Sequence, residues 1–110
     1  MVAKGQKSAL VFVSSISADC DMPGLTLYSG SKVFTSYMGE ALAYEFKDTV
    51  DVISFRPASV NTNMNPNKER GVRTEKLRHD YISPERAAIC CFRDLGYSRG
   101  ATYGDAIHEL

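Results

Sequence analysis

Long apolar runs and a dominant sign of charge are both missing from this 110-residue chain. Apolar runs such as Ala9 to Val13 fall far short of the roughly 20 residues a helix needs to cross a bilayer. No membrane span is expected in this piece. Thirteen basic residues balance thirteen acidic ones, so no global field favours nucleic acid, and no nucleic-acid-binding motif is present. Cysteine is also sparse, with Cys20, Cys90 and Cys91. An odd count with two neighbours suggests neither a disulfide framework nor a zinc site of spaced ligands. Reduced, buried thiols in a cytosol-facing protein are expected, and no metal site. Asp19-Cys20-Asp21 cannot surround an ion without further ligands. Behind Met1 there is no apolar stretch, only Lys4 and Lys7 nearby, so the start does not read as a signal peptide. At 44% hydrophobic and 24% charged, the composition is that of a soluble globular domain.

What is present reads as β-α-β. Ser8 to Ser15, with Ala9-Leu10-Val11-Phe12-Val13 at its centre, is apolar on both faces, as a buried parallel strand requires. Ser14 and Ser15 stand at its carboxyl end, where open α/β sheets bind ligands. A loop with Asp19, Asp21, Pro23 and Gly24 as breakers follows. Tyr28, Val33, Phe34, Tyr37, Met38, Ala41, Leu42, Ala43 and Phe46 then recur at a helical period, predicting a helix over 27–47. Its apolar face is broad, so one stripe is expected to pack on a sheet and another to meet a further helix or a second subunit. Val50 to Phe55 is the second strand, ended by Arg56-Pro57. The tract from Ala58 to Met64 therefore leaves the sheet on the same side as Ser15, and two strand ends face one crevice.

Residues 65–80 are polar, with Lys68, Arg70, Arg73, Lys76 and Arg78 against Glu69, Glu75 and Asp80. They read as a solvated loop, or as a basic flap over a phosphate. Ser83-Pro84-Glu85 supplies an N-cap, a first-position proline and an acidic first turn for a helix that Gly96 stops. Ala87, Ala88, Cys91, Phe92 and Leu95 are its expected apolar face. Thr102-Tyr103 is a candidate short strand, followed by a helical tail.

The chemistry centres on Tyr28-Ser29-Gly30-Ser31-Lys32. Residues i and i+4 share one helical face, so a phenol and an ammonium can share one pocket. A neighbouring cation favours the phenolate and turns a phenol into a proton donor for general acid–base work. Alone the pattern is weak.

Ser15 lies thirteen residues before Tyr28, Lys32 lies four after it, and Arg56-Pro57-Ala58-Ser59-Val60-Asn61-Thr62-Asn63-Met64 follows the next strand. This combination resembles the short-chain dehydrogenase/reductase family: Tyr28 to Lys32 its Y-x-[AG]-S-K, Val13-Ser14-Ser15 its strand-ending serine, and the Pro57 tract its P-G-x-V-x-T-x-M with Ala58 in place of the usual glycine. The tracts Ala41 to Phe46 and Asp94 to Gly104 look most like very-long-chain 3-oxoacyl-CoA reductases and related hydroxysteroid dehydrogenases. The resemblance covers nearly the whole chain but only the second half of the family's domain. No G-x-x-x-G-x-G turn is present to meet a cofactor pyrophosphate.

The resemblance implies an α/β fold, the C-terminal half of a Rossmann-type doubly wound parallel sheet, with residues 1–110 forming a partial domain of a longer protein. It implies hydride transfer between NADP or NAD, with NADP favoured, and a lipid-like carbonyl such as a 3-oxoacyl-CoA or a ketosteroid. Tyr28 would donate the proton, Ser15 would hold the substrate oxygen, and Lys32 would make Tyr28 a better acid and bind the nicotinamide ribose. Pro57 and Val60 would meet the nicotinamide carboxamide, and Thr62 would bond it or the adjacent phosphate. A homodimer through the 27–47 helix is implied, and an endoplasmic reticulum location is compatible with the subgroup. Two alternatives stay open: a truncated, non-catalytic interaction module that holds no cofactor, and a sugar-nucleotide epimerase or dehydratase, which the short C-terminal region disfavours.

Overall fold

The computed structural model describes residues 5–62, 81–97 and 100–105. Their order is β1 (Ser8–Val13), a 3-10 turn (Ile16–Ala18), α1 (Thr26–Glu45), β2 (Val50–Phe55), α2 (Pro84–Asp94) and β3 (Gly100–Thr102). The three strands form one parallel sheet in the order β1-β2-β3. Ser8 pairs with Val50 and Val13 with Phe55, and Phe55 pairs with Thr102. This is the expected partial Rossmann-type α/β arrangement.

β2 is the centre. Its residues are buried except Asp51, and Ile53 is 0% exposed. Strand side chains alternate between faces. Phe55 accordingly clusters with Ile82, Ala87 and Cys91, with Val11 and Val60 packed against them, which places α2 on that face of the sheet. On the other face Ser54 meets α1, where its hydroxyl lies 2.9 Å from that of Ser36.

α1 approaches the sheet through small residues. Ser36 and Gly39 are its buried positions, and a Cβ at Gly39 would stand 3.1 Å from the Cβ atoms of Phe12 and Ser54. The large apolar residues point outward, Phe34 at 66% and Tyr37 at 75% exposure. The exposed stripe is the one expected to meet a further helix or a second subunit; the stripe that meets the sheet is built on glycine and serine, because a helix lying this close has no room there for aromatic rings. α1 spans Thr26–Glu45 rather than 27–47. It ends where the Phe46 carbonyl accepts from the N–H groups of Thr49 (2.9 Å) and Val50 (2.9 Å), turning the chain into β2.

α2 begins as its sequence dictates. The Ser83 hydroxyl accepts from the Arg86 N–H at 3.1 Å, and Pro84 opens the helix. The Glu85 carboxyl is held below its usual range, first by a backbone N–H and then by the Ser83 hydroxyl. Gly96, at φ +83°, takes the left-handed position that stops the helix. The inward face is Ala87, Cys90 and Cys91, while Phe92 and Ala88 are exposed, contrary to the expected face. Arg93 and Asp94 tie the helix end to β3. Asp94 accepts from Arg93 at 2.7 Å and from the Thr102 hydroxyl at 2.6 Å, and these bonds, Arg93 first, hold its carboxyl below the ordinary range. The thiols also depart from expectation in part: Cys90 and Cys91 are buried, but Cys20 is exposed. Burial first, and then the Asp94 charge, push the Cys91 thiol up.

The basic 65–80 stretch, Asn63, Met64 and the expected helical tail lie outside the described residues. Among the described residues, no helix is long and apolar enough to cross a membrane, and no group of three or more His, Cys, Asp or Glu could hold a metal ion.

Candidate active site at the carboxyl ends of the strands

Parallel pairing brings the exits of β1 and β2 together. The Ser14 N–H donates to the Phe55 carbonyl at 2.8 Å, and the Ile16 N–H donates to the Pro57 carbonyl at 3.1 Å. Ser15 and Pro57 therefore leave the sheet side by side. Ser15 is the N-cap of the 3-10 turn, and its hydroxyl accepts from the Ser17 N–H at 3.2 Å. The buried Ser14 does different work: its hydroxyl donates to the Lys32 carbonyl at 2.7 Å, fixing the second turn of α1 to the end of β1. A pair of serines ending a strand thus divides into one anchor and one hydroxyl facing the crevice turn.

Tyr28 sits in the first turn of α1 and is 45% exposed. Lys32 follows one turn later and is half-buried. Its ammonium stands 5.6 Å from the centroid of the Tyr28 ring and donates to the Val13 carbonyl at 3.2 Å. The cation is thus held between the tyrosine ring and the last carbonyl of β1. The ring contact is a cation–π arrangement, worth about 0.5–1 kcal/mol at such an exposed place. The structure brings the i, i+4 pair to one face, as its spacing requires.

The Pro57 tract runs on from β2. Val60 forms a parallel bridge with Ile82, in which the Ile82 N–H donates to the Ser59 carbonyl at 3.1 Å and the Asn61 N–H donates to the Ile82 carbonyl at 2.9 Å. In such a bridge the flanking residues supply the bonds, so the N–H and C=O of Val60 itself turn to the other side. Thr62 is exposed, next to the end of the described segment.

Arg56 was not singled out from the sequence, yet it is the most heavily bonded side chain here. It donates to the Ser36 hydroxyl at 2.5 Å, to Asp19 at 2.9 Å, and to the Glu40 carboxylate. The one signal for it was a charged residue closing an apolar strand. Its acceptors lie 37, 20 and 16 positions away, beyond any local pattern.

Two hollows border these elements. One, of about 380 Å³, lies between the 17–23 segment and the Thr26, Ser29, Gly30 and Val33 side of α1. A larger one, of about 620 Å³, lies between the second half of α1, the first half of β2 and Gly96, Tyr97 and Gly100. Neither is lined by Ser15, Tyr28 or Lys32.

The fold is an open parallel α/β sheet, a class that binds ligands at the carboxyl ends of its strands, where Ser15 and the Tyr28–Lys32 pair lie. The model of the short chain dehydrogenase family matches residues 1–73, and the chain belongs to that family. No curated protein matches it. Among solved structures, a 7beta-hydroxysteroid dehydrogenase superposes with a TM-score of 0.77 at 25% identity, over 92% of this chain and 41% of that one. A mutant Serratia marcescens short-chain dehydrogenase/reductase gives 0.70 at 22% identity, over 90% and 45%. A blue fluorescent protein from a metagenomic library, in complex with NADPH, gives 0.70 at 22% identity, over 90% and 44%. The last two likenesses are of fold. The chain spans less than half the length of these structures.

Proposed function

We propose that this chain is the catalytic half of an NAD(P)(H)-dependent oxidoreductase that interconverts a carbonyl and a hydroxyl on a lipid-like substrate. A 3-oxoacyl-CoA or a ketosteroid-like molecule is the favoured class, from the subgroup resemblance and the likeness to a hydroxysteroid dehydrogenase. The observation that carries the reading is the Lys32 ammonium, held at the Val13 carbonyl and against the Tyr28 ring, beside the paired exits of Ser15 and Pro57.

In this reading Tyr28 gives its hydroxyl proton to the substrate oxygen as that oxygen becomes an alkoxide. Ser15 donates a hydrogen bond to the same oxygen while its own oxygen still accepts from the Ser17 N–H, favouring the developing charge. Lys32 has two further N–H donors besides the one used on Val13, and these suit ribose hydroxyls. The outward N–H of Val60 suits a carboxamide oxygen, and the exposed Thr62 hydroxyl suits the carboxamide or a phosphate. These residues fit the nicotinamide end of NADP or NAD; by subgroup resemblance NADP is preferred. When bound, the cofactor supplies or accepts the hydride. Contacts to its adenine and pyrophosphate fall to residues outside this chain, so residues 1–110 are a partial domain and alone turn over no carbonyl. The exposed face of α1 that carries Phe34, Tyr37, Met38 and Ala41 is the proposed contact with a second copy in the complete enzyme. An endoplasmic reticulum location would accord with a lipid substrate.

The test is Tyr28→Phe in a protein that contains the complete domain. Carbonyl reduction should fall by about 10²- to 10⁴-fold, with cofactor affinity unchanged. Near wild-type turnover would refute the assignment. The alternative of a non-catalytic module draws on the chain's limited span of its structural relatives. Failure of the complete protein to bind either reduced cofactor would favour it.

A further inference from the structure

We propose that Arg56 is a positioning residue, through which one guanidinium holds the Ser15 turn in register with the helix that carries Tyr28 and Lys32. The inference rests on the oxidoreductase reading above for its catalytic consequence, and on geometry for the link itself. Arg56 has a fixed base: its backbone N–H donates to the Thr102 carbonyl at 2.8 Å, which continues the β2–β3 ladder. From there its side chain, 14% exposed, reaches two elements at once. Nη1 bonds Asp19 at 2.9 Å, four residues beyond Ser15. Nε bonds Ser36 at 2.5 Å and Nη2 bonds Glu40.

The acceptors on the helix are not arbitrary positions. Lys32, Ser36 and Glu40 are spaced by four, so they form one stripe of α1, and the stripe that binds Arg56 begins at Lys32. Ser36 is buried and its hydroxyl lies 2.9 Å from that of the fully buried Ser54, which stiffens the helix side of the link. The turn side has no such backing. Among the described residues, Asp19 supplies the side-chain bond from the 16–25 segment to another element, and α1 begins without a side-chain cap at Leu25. Without Asp19 the turn would keep its backbone bonds at its first residues and the packing of the buried Ser17 against α1, with no side-chain bond left to fix its far end. A planar fork can address two carboxylates and a hydroxyl together, whereas a lysine ammonium is a point charge that cannot span them. The chemistry needs Ser15 and Tyr28 over one substrate oxygen, and a displacement of about 1 Å in such a pair can cost about 100-fold in rate.

The experiment uses the complete protein with Asp19→Ala, Asp19→Asn and Arg56→Lys. Asp19 is on the surface, so its variants should fold. In Asp19→Ala and Arg56→Lys, kcat should fall about tenfold or more, while KM for cofactor and the pH profile stay as in wild type. Asp19→Asn, which keeps an acceptor oxygen, should recover most of the rate. The double variant Asp19→Ala/Arg56→Lys should be no worse than Arg56→Lys alone, because both cut one link. Hydrogen exchange supplies a readout that needs no turnover: the amides of Ala18 and Asp19 should exchange at least about tenfold faster in Asp19→Ala, with those of β2 unchanged. Wild-type amide protection in Asp19→Ala, or a uniform rise across β2 as well, would overturn the inference. So would loosened amides with an unchanged kcat. A wild-type protein that reduces no carbonyl would instead sink the oxidoreductase reading and leave the exchange result to decide the link.

Discussion

The two ends of β2 have very different surroundings. Along its first half, with Glu40, Tyr44, Lys47, Asp51 and Tyr97 around it, lies the larger space, about 620 Å³. At its carboxyl end there is less room, but the elements are joined: Ser14 to Lys32, Lys32 to Val13, Ile16 to Pro57, and Arg56 to Asp19, Ser36 and Glu40. A hollow measures what is absent. Chemistry needs groups that converge and are held there, and among the described residues the carboxyl end is where such joined groups lie.

That contrast can be broken from either side. Tyr28→Phe apart, the largest effect should come from Lys32→Met in the complete protein. It removes the ammonium from Tyr28, from Val13 and from the proposed ribose contact together, so both turnover and cofactor affinity should drop by at least about tenfold, the loss of one charge-assisted hydrogen bond. Calorimetric titration with reduced NAD and NADP checks the second half. Unchanged affinity would remove the ribose role and leave the carboxyl end less distinct.

Gly39→Leu attacks the support of the site. Its side chain would collide with Phe12 and Ser54, and lifting α1 from the sheet should cost about 1–3 kcal/mol, or a fall of about 4–8 °C in melting temperature per kcal/mol. Thermal unfolding measures it. A substitution without effect would mean that the helix is not seated as described.

A smaller effect belongs to Asp94. The folded protein holds this carboxyl deprotonated more firmly than the unfolded chain does. Its contribution is therefore complete above the unfolded value of about 3.9 and is lost as pH falls through the lower folded value. Urea unfolding at successive pH values down through that window should show stability falling on acidification, and Asp94→Asn should flatten that limb. An identical acid limb in the variant would deny the Arg93 and Thr102 bonds their role. Smallest of all should be Tyr97→Ala in the larger hollow, with turnover within about twofold of wild type, the ordinary result for a surface substitution.

The same contrast explains what could be read in the sequence. Both long strands, both helices, the Ser83 cap and the Gly96 stop follow from local patterns, and the structure places them within a residue or two. The Tyr28–Lys32 pair was legible because four-residue spacing is itself a geometric statement. The residues that seat α1 were not, because an apolar count shows the broad face but passes over Ser36 and Gly39, which close approach to a sheet selects. The inward face of α2 shifted for a related reason, since Ala87 and Cys91 are compact enough to meet Phe55 and Ile82 while Phe92 turns outward. Arg56 stayed hidden because its partners are distant in sequence and become neighbours only when β1, α1 and β2 have assembled.

The most direct measurement applies one chemical change to both regions. In the complete protein, Tyr28→Phe and Tyr44→Phe each remove a single phenolic hydroxyl from α1, one at the carboxyl end of the sheet and one beside the larger hollow. Steady-state reduction of a ketone by reduced NADP or NAD should be lost in Tyr28→Phe, by about 10²-fold or more, and should stay at the wild-type rate in Tyr44→Phe. Equal rates in the two variants, or a loss confined to Tyr44→Phe, would contradict the account.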